Sequence, residues 1–305
     1  MRKAAMFVLA CALAAALLPA AFAQDQYTLK YAPKTGTTIS YEGSVQGELV
    51  VPMVGGPVPF TGDMAYDVAP ESIDDKGTVT EKITYTAAAA QAMGMPLTSQ
   101  YIGKAVSVKR EPDGAWSLGG ESLPPPDLMS ADFFVMFAQL PRFARFSPNA
   151  VKVGDQWTIE KQPLPPLFSQ PKPEGEQPAE GEKTSKTFVE QRCTLTAVKD
   201  YEGRKAAIIM CELKVTMEQE EIIPGMPVDA ELAAQMELAV YTDTGELIVS
   251  DVKLDKSWLR VEMNGAPIEI TLQNIKGRFK VKGAGEAGEQ PQQPQGGNGN
   301  KRPGT

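Results

Sequence analysis

The chain has 305 residues, with 30 Lys and Arg against 38 Asp and Glu, three cysteines and no histidine. An acidic balance with no basic cluster argues against nucleic acid as a partner and against electrostatic docking on anionic membranes. The missing histidine removes the commonest general base and metal ligand, so the chain is not expected to be an enzyme and no cofactor or metal is expected.

The first 23 residues read as a cleavable export signal. Arg2 and Lys3 form the positive end, Met6 to Leu18 the apolar run, and Ala21-Phe22-Ala23 a small-x-small cleavage site before Gln24. Removing them leaves 28 basic against 38 acidic residues, a net charge of −10, which favours solubility. The apolar run is too short for a stable membrane span once the signal is cut. A periplasmic or secreted location follows, where a disulfide persists.

Residues 24–126 form the first expected β region. Tyr27, Leu29 and Tyr31 open a strand, and Pro33-Lys34-Thr35-Gly36 turns the chain. From Thr37 to Val51, Ile39, Tyr41, Val45, Leu49 and Val51 then alternate with polar residues, and Gly43 and Gly47 on the same face permit curvature or close backbone approach. The return strand carries Val58, Phe60, Gly62, Met64, Tyr66 and Val68 on one face. After the turn Glu71 to Gly77, a third strand runs from Thr78 to Thr86. Residues 87–92 fit helix by their alanines and sheet by continuity. Gln100 to Val108 and Ala115 to Ser117 suggest a further hairpin.

One apolar helix is expected within 127–141, capped by Asp127 or Ser130 and ended by Pro141. Met129, Phe133, Met136, Phe137 and Leu140 make its stripe, and Phe134 and Val135 widen it, so most of its circumference must be covered. The second β region, 142–282, is interrupted by a Pro- and Glu-rich insertion, 162–186, expected to be disordered. Within it, Thr187 to Met217 reads as a hairpin about Glu202 whose paired residues sum to 404. That register places Ala197 opposite Ala207, Leu195 opposite Ile209, Val189 opposite Val215, and Cys193 opposite Cys211, which predicts a disulfide. Residues 228–241 have helical propensity but alternate without a break, which predicts a strand. Further strands follow at 247–254, 258–263 and 268–281, with a bulge near Gln273-Asn274. The tail, 283–305, is Gly-, Gln- and Pro-rich and expected to be disordered. The two halves are loosely alike, each opening with a turn glycine before an aromatic strand residue (Gly36 and Tyr41, Gly154 and Trp157).

Several short motifs stand together: Tyr31 to Gly36 followed by Tyr41, the proline-ended helix, Val151-Lys152-Val153-Gly154-Asp155-Gln156-Trp157, and the turn Asp243-Thr244-Gly245-Glu246-Leu247. In these the chain resembles a broad set of exported bacterial β-rich proteins to which no activity is assigned. That resemblance implies fold and compartment only. In architecture alone, long curved strands with one apolar helix, it is similar to periplasmic lipoprotein carriers, whose half-barrel holds an acyl chain under a helical lid.

Candidate chemistry in the sequence is sparse. Ser169/Lys172 and Ser250/Lys253 match S-x-x-K, but the first lies in the insertion and the second on a strand, where residues three apart face opposite ways. Glu218, Glu220 and Glu221, and Asp74-Asp75, read as solvated turn charges without calcium-loop spacing. The apolar helix leaves two readings, a plug in the core or a lid over an apolar cleft. The reading reached is an all-β protein of long antiparallel curved sheets or an open half-barrel with one buried helix. Met129, Phe133, Phe134, Met136, Phe137 and Leu140 are its candidate ligand contacts. The expected partner is an apolar ligand, or alternatively an envelope protein bound by a structural or interaction module.

Overall fold

The computed structural model describes residues 25–283 apart from 53, 120–122, 125–129, 165–185, 224–225, 256 and 264–265. The expected leader, residues 165–185 of the insertion, tail residues 284–305, Met129 and the alternative helix cap Asp127 lie outside the described residues, as do the side chains of Phe133 and Met136.

Thirteen antiparallel strands among the described residues form one sheet. The first half supplies β1 (Ile39–Val50), β2 (Pro57–Ile73), β3 (Val79–Ala92), β4 (Met95–Thr98), β5 (Ala105–Arg110) and β6 (Trp116–Leu118). A short helix, α1 (Asp132–Gln139), runs into a 3-10 turn at Leu140–Phe143. The second half supplies β7 (Gln156–Pro163), β8 (Thr187–Tyr201), β9 (Arg204–Ile223), β10 (Met226–Tyr241), β11 (Leu247–Leu254), β12 (Ser257–Met263) and β13 (Ala266–Val281). The order β6-β5-β3-β2-β1-β13-β11-β10-β9-β8-β7 shows how the chain is wound. It steps outward from the middle to one edge, passes through α1 to the opposite edge, and steps back to the middle. There β1 pairs with β13 from Tyr41–Val281 to Val50–Thr271 and joins the halves. One apolar core draws on both halves, from Tyr41 and Val45 to Leu238 and Phe279.

Period-two burial explains most of this. On β2, Val58, Phe60, Met64, Tyr66 and Val68 are buried while alternate residues are more exposed. Residues 87–92, where alanine content and continuity disagreed, belong to β3. Burial of Ala88 and Ala90 against the core outweighs the helical propensity of alanine. Residues 228–241 are likewise strand, within β10. Gly43 is needed where the Phe279 ring lies against the backbone of β1, since a Cβ there would collide with that ring.

Besides the near end of the insertion, where Gln162 and Pro163 were expected to be disordered but pair with β8 as the last residues of β7, three expectations are corrected. Tyr27, Leu29 and Tyr31 do not form a strand. Leu29 and Tyr31 are buried, but Tyr27 makes one isolated bridge to Val151. Beyond it, Tyr31 N–H donates to Pro112 O (2.7 Å) and Ala32 N–H to Thr244 O (2.8 Å), so the segment crosses the ends of two hairpins instead of pairing along one strand. The second correction is β4, which the sequence reading missed because three of its four residues are exposed and supply no alternation.

The third concerns the central hairpin. Val189–Val215, Cys193–Cys211 and Leu195–Ile209 pair as expected, but Ala197 faces Ile208, not Ala207. The cause lies at the turn. Glu202 and Gly203 both have positive φ, 50° and 80°, and form a two-residue loop between paired Tyr201 and Arg204. That turn sets a register one residue out of step with the core-facing pairs. A bulge at Thr196, whose hydroxyl donates to Ile208 O (3.0 Å), reconciles them. The Cys193–Cys211 disulfide is formed, with Cα atoms 4.1 Å apart, and closing a loop of 18 residues is worth about 3 kcal/mol on the chain-entropy model. The bulge anticipated near Gln273-Asn274 is present: the β1–β13 register shifts there, and Asn274 has φ 54°.

The passage from one sheet edge to the other is tied on both sides. Phe146 N–H donates to Asp113 O (2.7 Å) and Arg145 pairs with Asp113, while Trp157 Nε1–H donates to Arg145 O (2.9 Å). Trp116 of β6 stacks on Phe143 at 5.1 Å. The segment after α1 therefore closes the gap between the β6 and β7 sides of the curled sheet. In the Val151 to Trp157 motif, the Asp155 carboxylate accepts from Lys152 N–H and Trp157 holds this segment. At Asp243 to Leu247, Gly245 has φ 64° and packs so close to Lys30 O that a side chain would not fit.

Glu202 bears a left-handed backbone that Asn tolerates better. Glu202→Asn is expected to raise stability by about 0.5–1 kcal/mol, seen as a higher urea midpoint at unchanged slope.

Candidate functional site

The inward face of β3 runs Val79, Glu81, Ile83, Tyr85, and Glu81 takes a position that the alternation reserves for an apolar side chain. Its carboxylate is fully buried. On neighbouring β5, Val106, Val108 and Arg110 face the same way, and Arg110 is 7% exposed. The third charge, Arg142, lies in the 3-10 turn after α1 and is also buried. Arg142 Nη2 donates to Glu81 Oε1, and the Tyr31 hydroxyl donates to Glu81 Oε2. A buried carboxylate is thus satisfied by one guanidinium and one phenol, each brought by a non-strand segment.

Arg110 is held differently. Its Cζ lies 4.0 Å from the centre of the Tyr31 ring, and Nη2 donates a long hydrogen bond, 3.4 Å, to Arg142 O. Its Nε has no partner among the described residues. Of the two buried guanidinium groups, only that of Arg142 meets the carboxylate.

A run of tyrosines extends from this cluster across the core. Tyr41 and Tyr66 stack at 5.2 Å, Tyr66 and Tyr85 lie 6.2 Å apart, and Tyr85 and Tyr101 6.1 Å. Gln139 Nε2–H donates to the Tyr85 hydroxyl (2.7 Å), and the Tyr101 hydroxyl donates to Pro124 O (2.8 Å). Burial raises the pKa of Tyr31, Tyr41, Tyr66, Tyr85 and Tyr101, and the Glu81 charge adds to the effect at Tyr31. For Arg142, burial alone would lower the pKa, but Glu81 and the neighbouring tyrosines outweigh it and hold the pKa above its ordinary value.

Beside this cluster is an apolar cavity of about 30 Å³, room for roughly two waters. Ile83 and Tyr85 of β3, Val106 and Val108 of β5, and Trp116 and Leu118 of β6 wall it. Leu123 and Val135 close it, with Glu81, Arg110, Gln139 and Arg142 at the polar end. Two larger hollows, about 510 and 460 Å³, carry charges along their walls, including Glu160 and Arg192 in one and Glu42, Asp63 and Arg278 in the other.

Helix α1 begins where Ser130 Oγ accepts from Asp132 N–H (3.0 Å). The Asp132 carboxylate accepts from Ser99 Oγ, Gln100 N–H and Gln100 Nε2–H, which anchors the helix start beyond β4. Of the sequence-derived ligand contacts, Phe134, Phe137 and Leu140 are buried in the core but do not line the cavity. Phe134 packs on Phe60, ring centres 4.7 Å apart. Among the described side chains of the helix, Val135 and Gln139 line the cavity. Glu81, Arg110 and Arg142 were missed. The available signal was a lone charge inside an otherwise apolar alternation on β3 and again on β5.

The remaining motifs stay apart. Ser250 is buried and Lys253 exposed on opposite faces of β11, while Ser169 and Lys172 lie outside the described residues. Asp74 accepts from Thr78 N–H (2.8 Å) and Lys76 N–H (2.9 Å), bonds that lower its carboxyl pKa. Glu218 pairs with Lys161 at 2.8 Å, and the side chains of Glu220 and Glu221 lie outside the described residues. No cluster of three or more metal-ligating side chains occurs among the described residues, and no described helix is long and apolar enough to cross a membrane.

Glu81→Gln leaves two buried guanidinium groups without a counter-charge and is expected to cost about 3–5 kcal/mol, measured by urea unfolding. Arg142→Met added to it is expected to recover at least half of that loss. The tyrosines set an alkaline limit. Their folded pKa values lie above the unfolded value of about 10, so their contribution is fully present below pH 10 and lost as pH rises through the folded values, at up to about 1.4 kcal/mol per pH unit for each. Far-UV circular dichroism is expected to be lost above about pH 10 together with the part of the tyrosinate absorbance that belongs to these five buried side chains. Ionisation of all eight tyrosines with the structure retained would contradict this.

No family model matches the sequence, and no curated protein matches it. Among solved structures the chain is similar to DynF from the dynemicin biosynthesis pathway of Micromonospora chersina. The identity is 8%, with 85% of this chain and 86% of that one covered, and the TM-score is 0.24. A likeness at that score carries no argument about function.

Proposed function

We propose that this is an exported, non-enzymatic binding protein that takes an apolar or amphipathic ligand of the cell envelope between α1 and strands β3, β5 and β6. The cavity carries the reading: apolar walls from three strands and the helix, with polar groups gathered at one end. Its outer wall is able to yield, because β6 has three residues and is held by three pairings, Val108–Leu118, Lys109–Ser117 and Arg110–Trp116. The Cys193–Cys211 disulfide supports an oxidising compartment, in keeping with the export signal read at residues 1–23.

A second reading, a protein-interaction module, has one observation in its favour. Strand β7 is an eight-residue edge that pairs only with β8 among the described residues, and such an edge accepts a strand from a partner.

Native mass spectrometry of the protein purified from its own envelope separates the two. Binding in the cavity predicts a co-purifying lipid-like species that is lost, with the fold retained, in Val135→Trp, which fills the cavity. An empty wild-type protein that brings down an envelope partner would refute it in favour of the edge.

A further inference from the structure

Arg110 poses a problem that the core does not solve. It is more than nine-tenths buried, it carries a full charge, and Glu81 is already engaged by Arg142 and Tyr31. Among the described residues its guanidinium has the long bond to Arg142 O and the face of Tyr31, and Nε has no acceptor. A buried charge left in that state is costly unless an anion joins it. Arg110 also lies on the wall of the one cavity beside it, whose other sides are hydrocarbon.

Resting on the binding reading above, we infer that the ligand is a long-chain monocarboxylic acid, with its carboxylate seated on Arg110 and its hydrocarbon chain along Val108, Leu118 and Val135. The charge count selects a monoanion, since of the two buried guanidinium groups only that of Arg142 is paired with a carboxylate. The geometry of the donors selects a planar acceptor, because a guanidinium offers parallel N–H groups that match a carboxylate. The space selects a small head: about 30 Å³ is room for a carboxylate and not for a phosphodiester with its substituents, so the hydrocarbon chain lies along Val108, Leu118 and Val135 only once β6 has moved outward. The chain would leave past Leu123 and the edge strand β6, the shortest strand of the cavity wall, which is held by three pairings.

The test is calorimetric titration of the full, disulfide-intact chain, stripped of lipid, with decanoate and with decanol. The wild type is expected to bind decanoate at least about tenfold more tightly than decanol, a difference of about 1.4 kcal/mol. Arg110→Met should abolish that preference, and Arg110→Lys should keep part of it. Circular dichroism confirms that each variant is folded, and Arg110→Gln serves in place of Arg110→Met if that variant is not. Equal binding of the two probes by the wild type overturns the carboxylate seat and leaves the apolar cleft standing. A preference that survives in Arg110→Met overturns it as well, since the anion then sits elsewhere. Binding of neither probe overturns the cleft and the seat together.

Discussion

An ionised carboxylate in the middle of a β-sheet core costs several kcal/mol unless strong donors meet it there. At Glu81 those donors arrive from two segments that have no ladder of their own. Tyr31 comes from the opening stretch that crosses the hairpin ends, and Arg142 from the turn after α1. Strands are held by their neighbours along their whole length, but these two segments are held at points. The Glu81 cluster is one of those points, and the fully buried Asp132, bonded to Ser99 and Gln100 at the start of α1, is another.

The winding of the sheet explains why such a tie is needed. Each half steps away from the β1–β13 seam, so the two edges, β6 and β7, end far apart in the strand order yet face each other once the sheet curls. The segment after α1 fills the remaining opening through Arg145, Asp113 and Trp157. A closed barrel would have no edges and no place to open. Here one edge is three residues long and borders the cavity, so the shortest strand of the sheet stands at the proposed entrance.

Register is settled by two competing requirements. Core burial demands that alternate residues point inward without a slip, while a two-residue turn with both φ values positive dictates how the last pairs meet. At Glu202-Gly203 the two disagree by one residue, and the bulge at Thr196 absorbs the difference above the disulfide. The shift between Gln46 and Glu48, opposite Asn274, does the same at the seam between the halves.

Much of the fold was legible because a strand half-buried in a large core must alternate, and alternation is local. It located β1, β2, β3 and β8 to β13, set Cys193 opposite Cys211, overrode helical propensity at Val228 to Tyr241, and exposed the phase change at Asn274. It failed where burial comes without pairing, at Leu29 and Tyr31, and where pairing comes without burial, at β4. The candidate site was less legible still. Phe134, Phe137 and Leu140 are as apolar as a ligand contact should be, yet they are spent on the core, and Val135 and Gln139 meet the cavity. Period and propensity determined which faces are buried. Which buried face meets a neighbour and which meets a space depends on contacts between residues far apart in the chain. The meeting of Glu81, Arg110 and Arg142 is of that kind: three charges from three segments, brought together by the curl of the sheet.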